Sequence, residues 1–130
     1  MRSVPYTFNG QEYHLCMNAA ALFAIYERLG DKGSVLDHIK GTGKKSFSNT
    51  CFMLAKLAEQ GEMVRRYEGH DHEKFPSEQM FAAMLMPTDV AEAKDALRKA
   101  IALGFTREID RKQKAVDLGL VELQKKTEAD

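Results

Sequence analysis

The dipeptide Asn9-Gly10 constrains the fold of this chain more than any other feature. It separates two runs, residues 4–8 and 13–17, in which apolar or aromatic residues alternate with polar or small ones. Asn-Gly suits a type I′ turn, whose two central residues both need a positive φ, so residues 1–17 are predicted to form a β-hairpin. A lone hairpin is only marginally stable in water. Its aromatic face must therefore pack on helices or on another strand, from this chain or from a partner.

Helical periodicity replaces this alternation after residue 17. Asn18 is suited to cap a first helix that Gly30 closes, and Ser34–Ile39 is predicted to form a short second helix. Further helices are predicted from Ser46 or Ser48 to near Gly69, from Pro76 to Met86, and from Thr88 to Gly104. Residues 40–45 are predicted to be a flexible loop. The predicted fold class is α+β and mostly helical, with the N-terminal hairpin packed on about five amphipathic helices.

The length of 130 residues suits one domain. We predict a single globular domain over residues 1–106, with the hairpin in 1–17 and the helices in 18–104. Residues 107–130 carry six basic and six acidic residues and form a charged C-terminal tail. A tail docked on the domain and a mobile tail are both compatible with this sequence.

The charge balance bears on the class of partner. Lys plus Arg equals Asp plus Glu, at 19 each, whereas proteins that bind nucleic acids usually carry a basic surplus. No apolar run approaches the ~20 residues needed to cross a bilayer, and the start of the chain lacks the apolar core of a signal peptide. We therefore predict a cytoplasmic protein with no nucleic-acid or membrane partner. Cys16 and Cys51 are predicted to be buried free thiols.

The segment Gly41–Ser46, GTGKKS, has some likeness to a phosphate-binding loop. That motif requires Gly, four residues, and then Gly-Lys-Ser/Thr after a buried strand. Here His38 stands where the first Gly belongs, and Lys45 stands where the Mg²⁺-binding Ser or Thr belongs. The segment also follows a short predicted helix, so a phosphate loop is excluded.

The run His70-Asp71-His72 is the one cluster in the sequence with metal-ligand chemistry. It falls in a polar segment between predicted helices, where solvated His and Asp need no special explanation, and no further ligand stands at a diagnostic spacing. The sequence also lacks a GxSxG nucleophile elbow. We expect no catalytic residue, no bound metal and no cofactor, and hence no enzyme. A metal-dependent enzyme that uses the His70–His72 loop is kept as an alternative.

Two apolar regions are candidates for binding another protein. Met80–Met86 is rich in methionine, whose flexible side chain suits both adaptable binding surfaces and ordinary core packing. The hairpin presents a row of aromatic residues. The candidate partner-binding residues are Tyr6, Phe8, Tyr13, Met80, Phe81, Met84 and Met86.

The order of these elements resembles that of tail assembly chaperones of long-tailed bacteriophages and prophages, over residues 4–104. The likeness is carried by YTFNGQEYHLCMN followed by AAALFAIYERLGD, that is, by NG-x-EY-x-L and L-x-x-x-Y-E-x-L-G between Asn9 and Gly30. The resemblance implies a protein of the host bacterial cytoplasm that binds the tape measure protein and keeps it soluble while tail tube protein assembles around it. A homo-oligomer would multiply the binding surface. The alternative within protein binding is a small adaptor or regulatory module of a mobile element.

Overall fold

The computed structural model describes residues 1–106, and the predicted charged tail, residues 107–130, lies outside them. The described part consists of β1 (Val4–Phe8), β2 (Gln11–Leu15), α1 (Ala19–Leu29), α2 (Lys44–Tyr67), α3 (Glu78–Met84) and α4 (Val90–Gly104). Two short 3-10 helices, Val35–Ile39 and Pro87–Asp89, precede α2 and α4. Over these residues, no helix combines the length and the apolar character that crossing a membrane requires.

The prediction of an N-terminal hairpin followed by helices is confirmed, but the number of about five helices is slightly wrong. Residues 1–106 contain four α-helices, and the predicted helix Ser34–Ile39 is a single 3-10 element. Ser34 caps it and accepts from the Leu36 amide, while the Asp37 carboxylate accepts from the Ser34 amide. These reciprocal bonds close one tight turn, and Lys40 leaves it in extended conformation, so no α-helical turn follows.

The hairpin has the predicted turn. Asn9 and Gly10 have φ values of 52° and 77°, as a type I′ turn requires. The strands are antiparallel with Tyr6 opposite Tyr13, and one face of the hairpin is buried. This face packs on helices of the same chain, with β2 against α2 and β1 against α4.

The helix ends follow local capping chemistry. The Asn18 side chain accepts from the Ala21 amide at 2.9 Å, as predicted for the start of α1. Two other starts differ from prediction: α2 begins at Lys44, inside the segment predicted to be a loop, and Ser77 rather than Pro76 precedes α3 as its cap. Ser46 is free to bond elsewhere because it does not cap α2.

The central element is α2, which contacts β2, α1, α3 and α4. It therefore buries more than the single apolar stripe that its periodicity predicts, and Thr50 and Met53 are also fully buried. The closest approach is at Gly61, where an added Cβ would overlap the His14 backbone. The fold is thus a helical core wrapped around α2, with the hairpin fixed across it.

Candidate functional site

Helix α3 divides the methionine-rich segment between core and surface. Phe81 is completely buried and Leu85 is 8% exposed. Met80 and Met84 are each 38% exposed and Met86 is 58% exposed. Met80 and Met84 stand one helical turn apart and so lie on the same face. Three large, flexible apolar side chains are therefore accessible to a partner.

The aromatic candidates lie mainly in the core. Tyr6 and Phe8 are each 6% exposed, Tyr13 is half-buried, and the rings of Phe8 and Phe81 meet at a centroid distance of 4.5 Å. The cause is that a two-stranded hairpin needs its aromatic face covered, and α3 supplies part of the cover. In this conformation Tyr6, Phe8 and Phe81 stabilise the fold and offer a partner no accessible surface.

A cavity of about 500 Å³ opens beside α3, where α4 and the start of α2 come together. We call it the Lys94 cavity. Five of its lining residues are apolar, and the other two are Thr42 and Lys94; the apolar ones are Phe47, Leu85, Pro87, Val90 and Ala91. A cavity of this size accommodates one or two side chains of a partner segment.

A second cavity of about 390 Å³ adjoins the first and shares Phe47 with it. Its lining includes Arg28 and Glu78, whose side chains form an ion pair at 2.6 Å. The guanidinium of Arg28 also lies 4.3 Å from the centre of the Phe52 ring. The carboxylate of Glu78 is therefore already paired. We refer to the two cavities together with Met80, Met84 and Met86 as the α3 surface.

Lys94 is the unusual residue of this surface. It is only 8% exposed, and its ammonium lies 2.6 Å from the Gly41 carbonyl oxygen and 2.8 Å from the Ser46 hydroxyl. The Ser46 hydroxyl in turn donates to the Ile39 carbonyl oxygen at 3.0 Å. Within residues 1–106, no carboxylate oxygen lies within 4.0 Å of the ammonium. A buried cation here is held by neutral acceptors alone.

The His70–His72 segment has a structural arrangement of a different kind. Its three side chains are exposed, and the backbone takes part instead: the Asp71 carbonyl accepts from Arg65 at 3.4 Å. Buried Glu62 holds Arg65 and Arg66 at 2.6 and 2.8 Å and accepts from the Glu73 amide at 2.8 Å. In the part of the chain that the structure describes, no three His, Cys, Asp or Glu side chains are placed to hold a metal ion. The metal-dependent alternative therefore gains no support from the geometry.

The Lys94 cavity was not predicted from the sequence. One signal for it exists, since Lys94 stands directly beside Ala93 in the apolar stripe of α4. A lysine in such a place usually extends its stem along the core and keeps its ammonium in water. The partners that bury this ammonium, the Gly41 carbonyl and the Ser46 hydroxyl, are about 50 residues away in sequence.

Comparisons of the chain with protein-family models, with curated proteins and with solved structures gave no match.

Proposed function

We propose that this protein is a tail assembly chaperone of a phage or prophage, which binds the tape measure protein and keeps it soluble during tail assembly. The observation that carries the proposal is the exposure of Met80, Met84 and Met86 next to two adjoining cavities. Methionine side chains adapt to differently shaped apolar partners. A surface of this kind suits a client that presents many similar amphipathic helices in succession.

The rest of the molecule is a scaffold that holds this surface in place. Phe81 and Leu85 anchor α3 in the core, so the methionines extend from a fixed helix. An amphipathic client helix would lay its apolar face along α3 and insert side chains into the cavities beside it. Masking that face keeps client helices from associating with one another.

The proposal is tested by co-expressing the tape measure protein of the same prophage with this chain and measuring the soluble fraction of the client. The double variant Met84→Glu/Met86→Glu places two carboxylates on the α3 surface and should lose most of the solubilising effect. The matched control is Phe23→Glu/Tyr67→Glu, which changes two residues that are 64% and 91% exposed on α1 and at the end of α2. The control should retain the effect.

Two results contradict the proposal. One is a tape measure protein that stays insoluble beside the unchanged chain. The other is equal protection by the α3-surface variant and the control. A small adaptor of a mobile element would give the first result and would instead bind a compact folded partner.

A further inference from the structure

The ammonium of Lys94 lacks a counter-ion inside the described domain. Burying a charged group costs several kcal/mol unless opposite charge or good hydrogen bonds compensate it. Lys94 has three N–H donors, and Gly41 and Ser46 occupy two of them. The third is left without an acceptor among residues 1–106.

The surroundings of this ammonium add positive potential and no negative charge. The lining of the Lys94 cavity contains no acidic residue. Helix α2 begins beside it with Gly43 as a cap that has no side-chain bond, and its first turn carries Lys44 and Lys45 but no acidic residue. Acidic residues are the stabilising choice at that end of a helix, whereas lysines there add to the positive end of the helix dipole. The charge of this corner therefore favours an anion.

The walls of the cavity restrict what that anion is attached to. Phe47, Leu85, Pro87 and Val90 surround Lys94 with apolar surface. A phosphate group retains much of its hydration and would lie poorly against such walls, whereas a single carboxylate between apolar side chains matches both features. The volume of about 500 Å³ suits a carboxylate side chain with one apolar neighbour.

We propose that the Lys94 cavity binds a segment of a partner protein in which an Asp or Glu side chain is flanked by apolar residues, with its carboxylate paired to the Lys94 ammonium. This inference rests on the proposed function for the nature of the partner, a client segment, but the pairing itself follows from the cavity. Recognition by the cavity would give the otherwise adaptable methionine surface a preferred register on the client.

The test uses a random library of short displayed peptides selected on the folded, full-length chain at neutral pH. Enriched peptides should carry an Asp or Glu next to apolar residues. The best peptide is then synthesised together with its Glu→Gln or Asp→Asn counterpart. A charge-assisted bond in a desolvated site predicts at least about tenfold weaker binding of the neutral counterpart.

Lys94→Met should bind both synthetic peptides with similar, low affinity, since it keeps the apolar stem and removes the charge. Lys99→Met is the matched control, because Lys99 lies on α4 with an exposed side chain paired to Asp95. Circular dichroism establishes that both variants are folded, and the acidic and neutral peptides test the pairing on the unchanged chain even if Lys94→Met is not.

Three results overturn the inference: no enriched peptide, enriched peptides without an acidic residue, or equal affinity for the acidic and neutral peptides. A dimer of the chain that Lys94→Met dissociates would also overturn it, because a second copy would then occupy the cavity. The random library contains no tape measure sequence by design. Acidic-apolar selection with no effect on the tape measure protein would therefore refute the proposed function and leave this inference standing.

Discussion

The backbone of β2 at His14 lies so close to Gly61 in α2 that a methyl group on Gly61 would overlap the His14 carbonyl. The next stretch of chain continues this contact, since the Cys16 amide donates to the Leu57 carbonyl oxygen in α2 at 3.1 Å. The hairpin is thus fixed to the middle of the central helix by backbone contacts. Side chains alone do not set this distance.

Gly61→Ala is predicted to destabilise the domain by about 2 kcal/mol or more, because the hairpin must move away from α2. The sign is informative, since alanine in a helix interior is otherwise favoured over glycine by about 1 kcal/mol. Urea unfolding followed by circular dichroism measures the effect. Gly43→Ala is the control, because a Cβ there meets nothing within 4 Å, and it should cost about 1 kcal/mol or less. A stabilised Gly61→Ala variant would contradict the structure.

Phe8→Ala is predicted to lower the free energy of unfolding by about 3–5 kcal/mol, the usual cost of removing a buried phenylalanine. The ring is buried and packs on Phe81, so the variant leaves a cavity between the hairpin and α3. Thr7→Ala serves as the control on the exposed face of β1 and should change stability by under about 1 kcal/mol. If both variants had equal stability, the hairpin would not pack on α3 as described.

The network around Glu62 predicts a dependence of stability on pH. Burial opposes the charged carboxylate, but hydrogen bonds from the Glu73 amide, Arg66 and Arg65 outweigh it and hold the pKa of Glu62 below its ordinary value of 4.5. The stabilisation is therefore complete above the pKa of the unfolded chain and is lost as the pH falls through the lower pKa of the folded chain.

The Glu62→Gln variant should be about 2 kcal/mol less stable than the unchanged protein at neutral pH. The difference should shrink as the pH falls below about 4.5. Thermal unfolding across this range gives the comparison, with Glu27→Gln as an exposed control that should follow the unchanged protein. A constant difference at every pH would mean that the Glu62 charge does not stabilise the fold.

Both cysteines are predicted to be protected in the folded state. Burial, with a smaller effect of the Glu78 charge, raises the pKa of Cys51 to about 11, and burial also raises the pKa of Cys16. Little thiolate exists at pH 8, and reagents reach neither sulfur easily. Reaction with a disulfide reagent should therefore be slow in buffer and should release two equivalents promptly in denaturant. Prompt release from the native protein would contradict the burial, and Cys16→Ser would identify the reactive thiol.

Local sequence signals predicted the elements that depend on neighbouring residues. The Asn9-Gly10 turn and the Asn18 cap are both found where the sequence places them, because each is set by a few residues along the chain. The short second helix was predicted in the right place but is a 3-10 element. Five residues closed by a local capping box are too few for the α-helical pattern to decide.

The sequence did not reveal which side chains the fold leaves accessible. Periodicity placed Phe81 and Met84 in the same apolar segment, but α3 has only seven residues and other elements decide which side faces the core. The contact at Gly61 depends on where β2 crosses α2. The burial of Lys94 depends on the Gly41 carbonyl, which only the folded chain brings within reach.

Affinity purification of the tagged, full-length protein from its host under prophage-inducing conditions tests the central claim most directly, with bound proteins identified by mass spectrometry. The account predicts recovery of a very long, helix-rich phage protein together with tail tube protein. It also predicts loss of both with Met84→Glu/Met86→Glu and retention with Phe23→Glu/Tyr67→Glu. Recovery of a single compact host protein, unaffected by the change to the α3 surface, would contradict the chaperone assignment.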